Sequence, residues 1–224
     1  MRVIAWLVGL ALVGVANVAS AQQTPRERVG FQMALRTGYA VPMGKVADAA
    51  LGEGLEMRDF VSGQVPLFVE IGGKLSPNVF LGGYLGLGFG GTNGEVEALC
   101  ESLDATCVGV GFRLGAEVQY HFIPDSSANP WIGYGIGLES LAVGIEADGD
   151  EASVAFSGFE YARFSAGLDF RLSRVFGIGP FVDFSIGEYT RYDFDQFGDE
   201  ESGDVEDGAA HQWLTLGVRG VFFP

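Results

Sequence analysis

A long alternating stretch from Cys107 to Phe122 constrains this chain more than any other feature. Apolar side chains occupy every second position, and glycine, charged or polar residues lie between them. Because successive side chains of a β-strand point to opposite faces, the stretch predicts one strand with an apolar face and a glycine-and-charge face. A strand that crosses a membrane needs about 9–11 residues, and strands of soluble domains are rarely this long. The pattern therefore favours a membrane-spanning barrel.

Seven further segments repeat this alternation. Pro42 is predicted to end the first strand, because proline cannot donate a hydrogen bond to a neighbouring strand. Pro180 interrupts the seventh segment and predicts a bulge or a later start there. The eight predicted strands cover residues 31–41, 64–75, 79–90, 107–122, 132–139, 162–172, 178–187 and 213–222.

The composition of the second face indicates which side of the strands points outward. Glycine, with 35 residues in the chain, fills most of that face, together with a few charged residues of both signs. The narrow interior of an eight-stranded barrel suits small or paired side chains, whereas a water-facing surface would be rich in Lys, Glu and Thr. A soluble lipocalin-like barrel with its apolar face inward is the alternative. The sequence favours an all-β fold, an antiparallel up-and-down transmembrane barrel with its apolar face in lipid.

The predicted connections alternate in length. Three are short, at residues 76–78, 124–129 and 173–174, and four are long. Outer-membrane barrels have short periplasmic turns and long extracellular loops, and an even strand number leaves both chain termini on the periplasmic side. Aromatic residues near the strand ends fit interfacial girdles, although they are also ordinary strand-forming residues. These residues are Phe31, Tyr39, Phe89, Tyr120, Phe122, Phe170 and Phe222.

Residues 1–21 have the three regions of a secretory signal peptide: a positive start, an apolar run and a small-x-small site ending at Ala21. Cleavage after Ala21 is expected, although residues 3–21 are also just long enough for an uncleaved membrane anchor. Residues 22–28 then form a short polar periplasmic leader. Residues 29–224 form the barrel domain with long acidic extracellular loops.

The pattern as a whole resembles a known class of membrane protein. The signal peptide, the eight alternating strands and an aromatic-rich closing strand (WLTLGVRGVFF) resemble the small eight-stranded outer-membrane barrels, the class of the OmpA transmembrane domain and the OmpW-like proteins. The resemblance covers about Val29 to Phe223 and is one of pattern, without a family-specific signature. It implies a porin-like protein of the Gram-negative outer membrane, in contact with outer-membrane lipid and lipopolysaccharide, and a monomer.

The inward face carries six positive and five negative residues. An unpaired buried charge is costly, so these groups should pair. A polar plug that closes the lumen is favoured, because eight strands leave little open space. A gated path for ions or solutes is the alternative. The predicted lumen network comprises Arg36, Glu70, Lys74, Arg113, Glu117, Glu139, Arg163, Asp169, Arg171, Asp183 and Arg219.

Cys100 and Cys107 are the only cysteines. An exported protein favours a disulfide between them, which would stabilise the second long loop by about 2–3 kcal/mol. Two free thiols or a metal site are the alternatives, and the absence of a nearby histidine in the sequence argues against a metal.

Residues 191–210 form the most acidic predicted loop. The segment from Asp193 to Gly198 partly resembles the start of an EF-hand calcium loop, but Phe197 occupies a ligand position and Asp204 replaces the closing Glu. A solvated loop that binds divalent cations loosely is favoured over a defined metal site, and no cofactor is expected. The weak metal-ligand candidates are Asp193, Asp195, Asp199, Glu201 and Asp204.

An enzymatic role would require a hydrolase or acyltransferase constellation. His211, with Ser153, Ser157 or Ser202 and an acid, could imitate a lipid-modifying barrel, but nothing in the spacing supports a triad. His121 is predicted to face inward near a short turn. The sequence therefore predicts a protein that is not an enzyme.

The net charge of −16 argues against nucleic acid as a partner, since nucleic-acid binding depends on Lys and Arg. A structural or surface-interaction role with a plugged lumen is the favoured function. A narrow channel for small or apolar solutes is the second hypothesis, and a lipid-modifying enzyme is the third.

Overall fold

The computed structural model describes residues 29–47, 55–93, 98, 100, 105–147, 150–196, 199–205 and 208–223. The predicted signal peptide and periplasmic leader, residues 1–28, lie outside the described residues. In the described part of the chain, no helix is both long enough and apolar enough to cross a membrane.

Eight long strands form a closed antiparallel barrel, which confirms the predicted fold class. Each strand pairs with the next long strand, and the last pairs with both its predecessor and the first. Among the elements whose bounds the structure describes, two short strands and one short helix lie at the end of the barrel opposite the short turns. The elements are β1 (Gly30–Ala47), β2 (Leu55–Glu56), α1 (Met57–Phe60), β3 (Val61–Lys74), β4 (Val79–Thr92), β5 (Thr106–His121), β6 (Ala128–Ala147), β7 (Asp150–Arg171), β8 (Phe176–Gln196), β9 (Asp199–Asp204) and β10 (Ala210–Phe222).

The outer surface of the barrel is an apolar band. Leu85, Leu114 and Ile136 are 42, 48 and 51% exposed, whereas Arg36 and Glu70 on the opposite face are fully buried. The apolar side chains therefore point outward and the charged side chains point into the lumen, which is the orientation that the glycine-rich second face predicts. Such a band is stable in contact with lipid and not with water.

The seven predicted girdle aromatics all lie exposed on this outer surface. Five of them are at the end where the short turns are, and Tyr39 and Phe89 are nearer the opposite end. We call these ends the short-turn end and the long-hairpin end. The two groups border the apolar band, as interfacial aromatic residues do in membrane barrels.

The predictions for Pro42 and Pro180 are both wrong. β1 continues past Pro42 to Ala47, and Pro42 pairs only with Trp213 of β10, because the ladder to β3 stops at Ala40. Proline is tolerated where a strand has a single neighbour. β8 begins before Pro180, so the strand does not start late. The register to β7 is the same on both sides of Pro180, so there is no bulge. Only the pairs between Gly167–Phe181 and Phe170–Ile178 are missing.

Two predicted acidic loops are largely hairpins of regular strand. β6 and β7 remain paired as far as Ala147 and Asp150, and β8 pairs with β9 inside the predicted 191–210 loop. These extensions carry many charged residues and lack the strict alternation of the lipid-facing segments. Apolar periodicity therefore does not detect them.

Candidate functional site in the lumen

Seven charged side chains form a central ionic layer across the lumen. They come from β1, β3, β5, β7, β8 and β10, and each is at least 96% buried. The layer consists of Arg36, Glu70, Glu117, Arg163, Asp169, Asp183 and Arg219.

Arg36 is at the centre of the layer. Its guanidinium donates to the carboxylate of Asp183 at 2.9 Å and to that of Glu117 at 3.3 Å. It also forms an ion pair with Glu70. Carboxylates of β3, β5 and β8 thus meet one side chain of β1.

The other two arginines extend the layer toward the wall. Arg163 donates from Nη2 to Asp183 Oδ2 at 2.5 Å. Arg219 donates from Nη1 to Asp169 Oδ2 at 2.6 Å and from Nη2 to Glu70 Oε2 at 3.2 Å. Charge-assisted bonds of this kind compensate for the loss of water around each ion.

Aromatic rings fill the space between the arginines. The guanidinium carbons of Arg36 and Arg219 lie 5.0 and 4.5 Å from the ring centroid of Trp131. Arg163 lies 4.0 Å from the centroid of Phe68. Rings in these positions attract the cations and exclude water from the layer.

A second polar cluster lies toward the long-hairpin end. Arg113 Nε is 3.5 Å from Glu139 Oε2, and its Nη1 is 3.8 Å from Glu160 Oε1. The imidazole of His211 contacts Glu139, and the hydroxyl of Tyr84 donates to Glu160. The four groups other than Arg113 are at least 96% buried.

Glu160 is absent from the sequence-predicted network. A register shift between Glu160 and Ala162 places both Glu160 and Arg163 on the inner face, whereas strict alternation from Arg163 points Tyr161 inward. The predicted network had six cations and only five carboxylates. This imbalance was a signal that one inward carboxylate was missing, and Glu160 supplies it.

An apolar cap covers the second polar cluster at the long-hairpin end. Alternation placed Ala40 and Trp213 on the inward face, but it did not indicate that apolar residues from several elements form a buried core inside the barrel. Val154 and Phe156 of β7 pack against the cap from the rim. The cap consists of Ala40, Val46, Met57, Val61, Leu141, Val143, Tyr189 and Trp213.

Two predicted network members, Lys74 and Arg171, lie at the short-turn end, away from the central ionic layer. Their cationic groups are 5.3 and 5.7 Å from the ring centroid of Phe223. Lys74 donates to the carbonyl of Pro77, and Arg171 to that of Pro124. The predicted single network is thus distributed over three levels of the lumen.

Comparison with protein-family models and with curated proteins gives no match. Among solved structures, the outer membrane protein AlkL is similar, with 16% identity, a TM-score of 0.51 and coverage of 93% of this chain and 98% of that one. Ail of Yersinia pestis (13% identity, TM-score 0.45, coverage 86% and 99%) and OprG of Pseudomonas aeruginosa (11%, 0.46, 87% and 97%) also match.

The chain has the fold of the small eight-stranded outer-membrane barrels. This confirms the resemblance inferred from the sequence pattern. At such low identity the likeness shows the fold alone, so the role of this barrel rests on its own residues.

The predicted disulfide between Cys100 and Cys107 is present in this outer-membrane-type barrel. It joins the connection before β5 to the start of that strand.

The acidic metal-ligand candidates of the barrel do not converge. Asp193, Asp195 and Asp204 share one face of the β8–β9 hairpin, because they lie opposite Ser202, Glu200 and Arg191, whereas Glu201, opposite Phe194, lies on the other face. No group of three or more potential ligands forms a metal site within the described ranges.

His211 is not joined to a serine of the barrel. Its ring is fully buried, contacts Glu139 and stacks on Tyr189 with centroids 4.1 Å apart. Ser153 and Ser157 lie on β7 and Ser202 on β9, and no hydrogen bond links His211 to any of them among the described residues. The arrangement provides no serine nucleophile beside the imidazole.

Proposed function

We propose that the chain is an integral barrel of the bacterial outer membrane that does not conduct ions along its axis and that presents its acidic hairpins at the cell surface. The observation that supports the closed lumen is the complete burial of Arg36 and Arg219, and the near-complete burial of Arg163, in ion pairs that span the barrel. An aqueous pore at this level would expose these groups to water. The proposed role is structural or interactive and not enzymatic.

Conductance in planar lipid bilayers tests the closed lumen. The wild-type protein is expected to give no discrete steps, whereas Arg36→Ala, which removes the central side chain, is expected to give them. Resistance of the folded form to unfolding by detergent on a gel checks that each sample is a barrel. Wild-type steps that vanish when Arg113 or Glu117 is replaced by a residue of opposite charge would show a conducting lumen and contradict the proposal.

We propose outer-membrane lipid and lipopolysaccharide as the immediate partners of a monomeric barrel. The apolar band matches acyl chains. Asp193 and Asp195 are exposed carboxylates, so they would meet lipopolysaccharide phosphates only through loosely bound divalent cations. Removal of these cations with a chelator is expected to weaken lipopolysaccharide retention during purification. Equal retention with and without chelator argues against the cation bridge.

A second candidate function, passage of small apolar solutes, is favoured by a gap in the wall between β1 and β3. Their ladder runs to Thr37–Leu67 and resumes only at Ala40–Gln64, because Pro66 lies between and has no N–H to donate. A small cavity of about 10 Å³ lies on the lumen side of this gap and is lined in part by Ala40, Gln64 and Pro66. The gap would connect the lumen to the lipid through the side of the barrel.

Cysteines at Tyr39 and Val65, which would face each other in the missing part of the ladder, test this path. A tether there is expected to abolish uptake of an apolar fluorescent probe by vesicles that contain the protein, and a reductant is expected to restore it. Cysteines at Val69 and Leu85, a pair within the intact β3–β4 ladder, serve as the control. Uptake that is unchanged by the tether excludes this route.

A further inference from the structure

β9 is an edge strand at the extracellular rim. It pairs with β8 along its whole length, from Asp199 opposite Gln196 to Asp204 opposite Arg191, and with no other strand in the described part of the chain. Below it, β10 pairs with both β8 and β1. Among the described residues, no strand pairs with the backbone N–H and C=O groups on the outer edge of β9, and such groups can pair with a further strand.

Contacts within the chain stabilise the β8–β9 hairpin in the absence of a partner. The backbone N–H of Val205 donates to the carbonyl of Thr190 at 3.0 Å, just after β9 ends. Gly203 lies against the ring of Tyr192, where a Cβ would be 2.8 Å from the nearest ring carbon. A preformed edge avoids much of the ordering cost that a mobile loop would add on binding.

The negative charge of the β8–β9 hairpin favours a basic partner. Residues 191–204 contain six carboxylates and one arginine. Glu201 and Asp204 on β9 and Asp193 and Asp195 on β8 are exposed. Acidic side chains oppose pairing with a second copy of the same strand, because like charges directly opposite each other are destabilising. The same side chains attract a strand that carries Lys or Arg.

We propose that β9 binds an extended, basic polypeptide segment of another protein as an additional antiparallel or parallel strand. Main-chain hydrogen bonds supply the pairing, and the carboxylates supply the preference for basic side chains. The six residues of β9 extend about 20 Å, which accommodates a segment of about six residues. This inference rests on the proposed surface role and names the class of partner.

Three synthetic peptides of equal length test the proposal with the full barrel in nanodiscs. The first alternates Lys and Val, the second alternates Glu and Val, and the third has the Lys content of the first but contains proline at its centre. Binding is expected for the first peptide alone, because the second has the wrong charge and the third cannot form a continuous ladder. Amide hydrogen exchange of β9 is expected to slow when the first peptide binds.

A charge-matched pair of variants locates the binding site. Replacement of Asp199, Glu200, Glu201 and Asp204 by the corresponding amides is expected to weaken binding by about tenfold or more. The control variant carries the same change at Glu146, Asp148, Asp150 and Glu151 of the β6–β7 hairpin. Among the described residues of β7, only Asp150 and Glu151 extend beyond the ladder to β8, so this tip offers no edge of six residues. Less than about a twofold change is therefore expected.

Three results would overturn strand addition at β9: no binding of the Lys–Val peptide, equal binding of the proline-containing peptide, or equal weakening by the two variants. Equal binding of the proline-containing peptide would indicate charge attraction without pairing. Self-association of the barrel through β9 would identify a second copy as the occupant and contradict the proposal. The closed lumen is tested separately by bilayer conductance. If that proposal is wrong, none of these three binding results follows from it.

Discussion

At the residue scale, the lumen is built from large side chains that each lie against a glycine. Phe68 lies against Gly86, and Trp131 against Gly167, at positions where a Cβ on the glycine would be within 2.6 Å of the ring. The glycines on the inner face thus leave the space that the aromatic rings occupy. Alternation indicated that these positions are small, but it did not indicate which ring fills each of them.

The first prediction concerns Gly115, which lies against the ring of Tyr84. A Cβ there would be 2.3 Å from the carbonyl oxygen of Ile136, so Gly115→Ala is expected to lower the free energy of unfolding by about 1–3 kcal/mol. Gly144→Ala is the control, because nothing lies within 4 Å of its Cβ. Urea titration of both variants in lipid vesicles measures the difference. Equal effects would show that the close approach is unimportant.

The second prediction concerns Arg36. Arg36→Met leaves Glu117 and Asp183 with fewer cationic partners in a buried site, and a loss of about 3–5 kcal/mol in the free energy of unfolding is expected. Arg58→Met is the matched control, since Arg58 is 72% exposed and its pair with Glu56 should contribute less than about 1 kcal/mol. The same titration applies, and a loss at Arg36 no larger than at Arg58 would contradict the description of the layer.

At the element scale, alternation identified all eight barrel strands and the face that each turns outward, because lipid on one side and a filled lumen on the other impose a period of two. It did not identify positions where the period changes. The shift near Glu160 and the strand extensions of the acidic hairpins depend on local pairing with neighbouring strands. The apolar cap depends on α1 and on residues from several strands, so no single periodic segment could indicate it.

The third prediction concerns the Cys100–Cys107 disulfide. Replacement of both cysteines by serine is expected to lower the free energy of unfolding by about 2–3 kcal/mol, because the closed loop is lost from the unfolded state. Addition of a reductant should destabilise the wild-type protein similarly and leave the double variant unchanged. A reductant effect of equal size on both proteins would assign the loss to another cause.

At the scale of the whole molecule, the position of a residue relative to the apolar band determines the cost of introducing charge. Leu85 lies at the middle of β4, whereas Leu75 lies at a turn and is 65% exposed. Leu85→Arg is expected to cost about 2–4 kcal/mol and Leu75→Arg about 0–1 kcal/mol, because the cost of charge falls from the bilayer midplane to the interface. Reversible folding into vesicles measures both. A larger cost at Leu75 would contradict the assigned membrane position.

The central ionic layer joins residues that are far apart in the chain, such as Arg36 and Asp183 or Glu70 and Arg219. A slip of one residue in any contributing strand would exchange its two faces and place an ionised group in hydrocarbon. A register shift therefore costs far more free energy in this barrel than it would in a barrel whose lumen contained only glycine. The layer thus selects the correct register during assembly, since the three arginines are all paired with carboxylates only when the six strands are correctly aligned.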